Sequence, residues 1–173
     1  MLKNVVLVCL LAVPSLFAQE SRVEVYDGTV SFVPPEGYSR LSEEIVARKF
    51  PAASPGTVVY SNARTTHSIS ITHPPQRALK AEDLPEFKPY MESMIEAQSK
   101  GIEWLKKEIV QLGDRKWVHL EFISQGLDMK IHNDFYLTSR DDRMLAFNFN
   151  APAAGYETPR KQFDAVRGTI RLQ

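Results

Sequence analysis

Residues 116–136, KWVHLEFISQGLDMKIHNDFY, decide the fold. Apolar and polar residues alternate on both sides of the dipeptide Gly126-Leu127. Period-two alternation indicates half-buried strands, and a glycine in the first position of a two-residue loop is typical of a type II′ turn. The stretch therefore predicts an antiparallel hairpin.

Two further loops extend this hairpin into a meander over residues 104–150. One is Gly113-Asp114, which again puts glycine first, and the other is the looser segment 140–142. The spacing of these loops predicts four antiparallel strands in succession.

Helices and shorter strands surround the meander. The predicted helices begin after Ser42, at Asp83 or near Lys88, and after Thr158. Further strand signals cover 23–33, around Asp27-Gly28, and 58–61, 68–72 and 169–172. This order predicts an α+β fold, an α/β sandwich built on a mainly antiparallel sheet with three helices.

The N-terminus has the pattern of a secretory signal peptide over residues 1–18. Lys3 precedes an apolar run that is too short to span a bilayer, and Ala18 fits the position before the cut. The only cysteine, Cys9, lies in this segment, so the remaining chain has to fold without disulfides. We expect residues 19–173 to form a single domain that is periplasmic or secreted and does not span a membrane.

The charge balance argues against polyanionic partners. The chain has 21 basic and 21 acidic residues, which gives a formal net charge of zero. Nucleic-acid binding needs a positive field, so it is not expected.

Two His-x-carboxylate motifs lie within the central hairpin. With a two-residue loop at Gly126-Leu127, Glu121 lies opposite His132, and His119 lies opposite Asp134. The registers of the neighbouring loops extend these pairs into two polar rows on one sheet face. The predicted rows are Glu108, His119, Asp134 and Asn148, and Lys106, Glu121, His132 and Asn150; Trp104 and Trp117 fall on the same face.

This polar face has more than one interpretation. His119, His132 and one of Glu121 or Asp134 have the donor types of a zinc or iron site. His-carboxylate pairs also commonly complete a solvated sheet face. In that case the pairs would form a contact surface together with Asn148, Asn150 and the two tryptophans. A second helix layer over this part of the sheet is a further alternative.

Catalytic motifs are missing from the sequence. There is no G-x-S-x-G segment, phosphate-binding loop or dinucleotide fingerprint, and residues 19–173 have no cysteine nucleophile. The sequence therefore predicts a non-catalytic protein with no cofactor.

Three stretches together resemble the PsbP/Mog-like fold family, including the DcrB-type bacterial secreted domains. DGTVSFVPPEGY (27–38) resembles the family's opening strand and turn. LGDRKWVHLEFIS (112–124) and HNDFYLTSRDDRMLAFNFN (132–150) resemble its central meander. KQFDAVRGTIRL (161–172) resembles its closing helix and strand, although Gly168-Thr169-Ile170 replaces the Ser-Phe of a more typical member.

The resemblance implies a function without shared catalytic residues. Proteins of this fold are largely assembly factors, binding subunits or chaperones. We therefore expect an exported protein that contacts a partner in the bacterial cell envelope through a sheet face or edge. An immunity protein or chaperone, and a metal-binding protein or enzyme centred on the His-carboxylate motifs, remain as alternatives.

Overall fold

The computed structural model describes residues 21–51 and 53–173, so the predicted signal peptide lies outside the described residues. These residues form three α-helices and ten strands. The strands are β1 (Val23–Val25), β2 (Val30–Phe32), β3 (Tyr38–Arg40), β4 (Val58–Asn62), β5 (Ser68–Thr72), β6 (Glu103–Leu112), β7 (Arg115–Gln125), β8 (Lys130–Arg140), β9 (Arg143–Pro152) and β10 (Arg171–Leu172). The helices are α1 (Glu43–Lys49), α2 (Leu84–Gln98) and α3 (Glu157–Thr169).

The strands make two sheets, and every strand pair is antiparallel. The larger sheet has seven strands in the order β3-β4-β5-β9-β8-β7-β6, and the smaller has the order β1-β2-β10. The predicted α+β architecture with three helices is thus confirmed. None of the described helices is long and apolar enough to cross a membrane.

The first two predicted helix starts have structural counterparts, but the third is wrong by two residues: α3 begins at Glu157 with Tyr156 in the N-cap position, so Thr158 lies inside the helix. The Ser42 hydroxyl accepts a hydrogen bond from the Ile45 amide at the start of α1. Helix α2 begins at Leu84, with Asp83 in the N-cap position, which decides between the two predicted starts. Pro89 lies inside this helix.

The loop at the centre of the meander is longer than predicted. It spans the four residues 126–129, because Gln125 pairs with Lys130. A Cβ on Gly126 would lie 2.9 Å from the Met129 carbonyl oxygen, so only glycine fits there. The β7–β8 register is therefore displaced by two residues from the prediction, which leaves each side chain on its predicted face.

The β8–β9 loop is shorter than predicted. Arg140 pairs with Arg143, so the loop is the dipeptide Asp141-Asp142, in which both residues have positive φ, as a type I′ turn requires. The difference of one residue reverses the faces of β9. Asn148 and Asn150 consequently lie on the opposite face from the predicted rows, and that part of the prediction is wrong.

Both faces of the seven-stranded sheet are covered in the described part of the chain. On one face, Phe147 and Phe149 pack with Phe163 of α3 and Phe32 of the small sheet. The other face carries α2, and its core is a second cluster. That cluster is built from Leu79, Leu84, Met91, Val118, Leu120, Leu137, Met144 and Ala146. The sheet is therefore the middle layer of the domain.

A substitution of Phe163 tests how much the packing of α3 on the sheet stabilises the domain. Its side chain is fully buried and its ring centroid lies 5.3 Å from that of Phe149. We expect Phe163→Ala to lower the free energy of unfolding by about 3–5 kcal/mol in urea titrations, because it leaves a cavity between helix and sheet. Exposed Lys161→Ala on the same helix is the matched control and should change it by less than about 0.5 kcal/mol. Similar losses in both variants would contradict this packing.

Candidate functional site

The two predicted His-carboxylate pairs form in the structure. His119 Nε2 lies 2.7 Å from Asp134 Oδ1, and His132 Nε2 lies 2.8 Å from Glu121 Oε1. Each histidine is diagonal to its carboxylate, since Glu121 lies directly opposite Asp134. Diagonal neighbours across antiparallel strands remain within reach of long side chains, so the displaced register preserves both pairs.

The first pair belongs to a chain of charges that links the sheet to α3. His119 Nδ1 lies 3.0 Å from Glu108 Oε1, so carboxylates flank both ring nitrogens. Asp134 Oδ2 accepts a hydrogen bond of 2.6 Å from Arg167, in the last turn of α3. The Arg167 guanidinium also lies over the Tyr136 ring, 5.0 Å from its centroid. Asp134 therefore connects β7, β8 and α3.

The second pair, His132 and Glu121, lies near the start of β8. Lys106 Nζ is 3.4 Å from Glu121 Oε2, and the His132 ring stacks on Tyr156 with centroids 3.4 Å apart. The hydrogen bond from His132 lowers the pKa of Glu121 to about 2, with help from the Lys106 charge and against the effect of burial. Glu121 is therefore ionised at neutral pH.

These side chains are buried, so the interpretation of this face as a solvated one is wrong. His119, Glu121, His132 and Asp134 are 3–7% exposed, because α3 covers this side of the sheet. The alternative of a second helix layer describes them better. Buried charges persist only when they are paired, so the network is a structural constraint of the α3 interface.

Two buried tyrosines border the network. Burial raises the pKa of Tyr136 and of Tyr156, and the nearby Asp134 carboxylate raises both further. The Tyr156 hydroxyl has no hydrogen-bond partner among the described residues. Both phenols therefore stay neutral donors at physiological pH.

The donor types of a metal site are present, but positively charged side chains already contact the carboxylates of this network. One ligand atom from each of His119, Glu121 and Asp134 lies within 4.8 Å of the others. Arg167 and Lys106 already face the two carboxylates. A divalent ion at this position would compete with Arg167 for Asp134 and with Lys106 for Glu121.

The structure separates the two tryptophans, which corrects the prediction that they share a face. A β-bulge between Trp104 and Lys106 turns Trp104 toward α2, where its Nε1 donates to Glu96. Trp117 is buried in the core under α3. The sequence pattern could not show the bulge, because a bulge adds one residue without a distinctive composition.

A groove of about 470 Å³ opens beside the second pair. Its lining residues come from β6, β7, β8, the segment between β9 and α3, and the first turn of α3. They are Leu105, Lys106, Glu121, Ile123, His132, Ala153, Gly155, Tyr156, Glu157 and Arg160. Of the residues in the two predicted rows, Lys106, Glu121 and His132 reach it. Sequence reasoning missed Tyr156 and Arg160, because only the docking of α3 brings them to the sheet.

The low pKa of Glu121 leads to a pH-dependent prediction. Because its pKa falls from the ordinary 4.5 to about 2 on folding, its contribution to stability is complete above pH 4.5 and lost as the pH falls toward 2. We expect Glu121→Gln to cost roughly 1.5–3 kcal/mol at pH 7 in urea unfolding, and the difference from wild type to shrink below pH 4.5. Exposed Glu103→Gln on the neighbouring strand is the control. A difference that stays constant down to pH 2.5 would refute the shift.

Comparisons with known proteins give structural likeness only. No protein-family model and no curated protein matches the chain. Cyanobacterial PsbP (CyanoP) from Synechocystis sp. PCC 6803 is similar in structure, with a TM-score of 0.61, 17% identity and coverage of 95% of this chain and 99% of that one. The Ran-binding protein Mog1p of Saccharomyces cerevisiae has a TM-score of 0.59, 16% identity and coverage of 88% and 94%.

A third similar structure is LpqN of Mycobacterium tuberculosis, which is involved in cell envelope biogenesis. Its TM-score is 0.55 at 14% identity, and the match covers 90% of this chain and 91% of that one. Identities this low establish the fold alone, and none of the three structures confirms the DcrB-type assignment. The chain has the PsbP/Mog-like fold that its sequence resembles.

Proposed function

We propose that the chain is an exported, non-catalytic binding protein of the bacterial cell envelope, and that it contacts a protein partner at the sheet end that carries the groove. The signal-peptide pattern of residues 1–18 supports export. The fold likeness to a Ran-binding protein supports a binding role, and the likeness to a protein of cell envelope biogenesis supports a place in the envelope. Fold likeness alone does not establish a function, so the placement of the contact rests on the surface of this chain.

The single observation behind this placement is a group of exposed apolar side chains at one end of the sheet. Leu127 is fully exposed at the tip of the 126–129 loop, Met129 is 48% exposed, and Leu105 of β6 is 44% exposed. A lone exposed apolar residue is ordinary, whereas several at one end of a domain are typical of a contact site. Of the three, Leu105 also lines the groove.

The contacts of the loop place it beside the start of β6. The Gln125 amide donates to the Lys100 carbonyl, and Lys130 Nζ lies 4.0 Å from Glu103. The Ala153 amide donates to the Lys130 carbonyl, which ties in the segment that leads to α3. The loop, the first residues of β6 and the groove therefore lie at the same end of the domain.

The layers of the fold favour this end over a sheet face. Helix α2 covers one face, and α3 with the small sheet covers the other. In the described part of the chain, β6 pairs only with β7, but Lys106, Lys107 and the bulge are features that protect an edge from pairing. The apolar sheet end is the better candidate for contact.

Site-specific photocrosslinking in the bacterial envelope tests the placement. With p-benzoylphenylalanine in place of Leu127, we expect one adduct whose mass equals a chain that starts at Gln19 plus a partner protein. Asp114, 91% exposed, marks the turn at the opposite end of β7 and is the control position. Leu105→Ser should reduce the adduct about tenfold. Equal adducts at both positions, or a crosslink insensitive to Leu105, would place the surface elsewhere.

A metal-binding role is the second candidate, because His119, Glu121 and Asp134 converge within 4.8 Å. Our proposal expects no rise in Tm with excess Zn²⁺, since Arg167 and Lys106 already neutralise this network. A ligand that binds only the folded state raises Tm by mass action. A rise in wild type that disappears in the His119→Ala/His132→Ala variant would favour the metal-binding role.

A further inference from the structure

The groove carries two cations whose hydrogen-bonding capacity is largely unused. Lys106 Nζ lies 3.4 Å from Glu121, and Arg160 lies 3.6 Å from Glu157. Both distances exceed the 2.7–2.9 Å that is common for strong charge-assisted hydrogen bonds. Lysine has three donors and arginine has five, so both side chains keep donors for another acceptor.

The start of α3 adds polar donors to the same groove. Gly155, Tyr156 and Glu157 line it, and no side chain caps the N-terminus of this helix of 13 residues. In this first turn the Thr158 amide already donates to the Gly155 carbonyl and Pro159 has no N–H, so the positive end of the helix dipole, rather than a set of free amides, attracts negative charge. Tyr156 is 5% exposed and its hydroxyl has no partner among the described residues.

The acidic side chains of the groove leave room for an anion. His132 binds one oxygen of Glu121, and Lys106 lies near the other, so this carboxylate is already neutralised. Glu157, the other carboxylate of the lining, is 81% exposed to solvent and lies 3.6 Å from Arg160. An anion that enters the groove therefore meets Lys106 and Arg160 rather than an unpaired carboxylate.

The remaining lining is apolar. Leu105 and Ile123 lie beside the two cations, and Ala153 lies on the α3 side. A volume of about 470 Å³ is in the range of sites that hold a small ligand or a few side chains. The ligand that matches this lining has an apolar body and one negative group.

We propose that the groove binds a carboxylate carried by an apolar peptide segment of the partner. The carboxylate accepts hydrogen bonds from Lys106 and Arg160 near the N-terminus of α3. The apolar side chain next to it lies against Leu105 and Ile123. This inference rests on the proposed function, because it names the chemistry by which the partner is recognised.

Peptide titrations of the ¹⁵N-labelled protein, residues 19–173, test this site by NMR. The probes are Ac-Ala-Leu-Leu with a free C-terminal carboxylate, Ac-Leu-Glu-Leu-amide with an internal carboxylate, and the neutral Ac-Ala-Leu-Leu-amide. We expect at least one charged probe to shift the amides of Ile123, Gly155 and Tyr156, and the neutral probe to bind at least tenfold more weakly. The stronger charged probe identifies the source of the carboxylate.

Matched variants connect the effect to the two cations. Lys106→Gln and Arg160→Gln should each raise the Kd of the charged probe about tenfold. Arg160→Gln should preserve the Tm, because its ion pair with the exposed Glu157 is long. Lys106→Gln should lower the Tm slightly, because Lys106 faces the buried Glu121, so the weaker binding of Arg160→Gln is the decisive result. Lys161→Gln removes the same charge from the exposed side of α3 and should leave the Kd unchanged. Equal binding of the neutral peptide, or an unchanged Kd in both groove variants, overturns the proposal. Inorganic phosphate that binds as tightly as the peptides overturns the carboxylate and peptide assignment.

The two proposals can fail separately. If the Leu127 crosslink to a partner forms but the charged probes and groove variants have no effect, the carboxylate site is wrong and the contact surface stands. If the charged probes bind as expected but no partner crosslinks at Leu127, the groove is a ligand site and the proposed function is wrong.

Discussion

The position of α3 depends on one buried carboxylate, Asp134. Its oxygens bind His119 of the neighbouring strand and Arg167 of the helix, and the side chain is almost completely excluded from water. A buried carboxylate without partners is very costly, so any arrangement that moves α3 away must expose Asp134 or leave it unpaired. Apolar packing around Phe163 supplies the attraction between the layers. The Asp134 contacts set where along the sheet the helix lies.

The groove is a consequence of that placement. With the C-terminal end of α3 held at Asp134, its first turn lies beside β8, and Tyr156 stacks on His132. The same stacking leaves Arg160 across from Lys106 in one lining. The charges that hold α3 in place and the charges that line the groove are thus neighbours, but they differ in their exposure to solvent. Asp134 is paired inside the domain, whereas Lys106 and Arg160 keep substantial contact with solvent.

Local signals predicted the elements well and the registers less well. The Ser42 cap, the Gly113-Asp114 loop and the strand alternation of residues 116–136 all depend on neighbouring residues, so they can be read directly. The turn at Asp141-Asp142 needs two positive φ angles that aspartate adopts only occasionally, and its sequence does not distinguish a two-residue from a three-residue loop. That single residue decided the faces of Asn148 and Asn150. The error at Gly126 was an even number of residues, so the His-carboxylate pairs were predicted correctly despite the wrong loop.

The sequence by itself determined the α+β class, the antiparallel meander and the grouping of His119, Glu121, His132 and Asp134 on one face, because these follow from strand periodicity. Only the tertiary structure decided whether that face is exposed to solvent or covered by a helix. Arg167 lies 33 residues after Asp134, and nothing in the local pattern of either shows that they meet. A polar strand face has the same sequence pattern when it faces solvent and when a charged helix packs on it. The difference arises only when the chain brings the compensating charge from a distance.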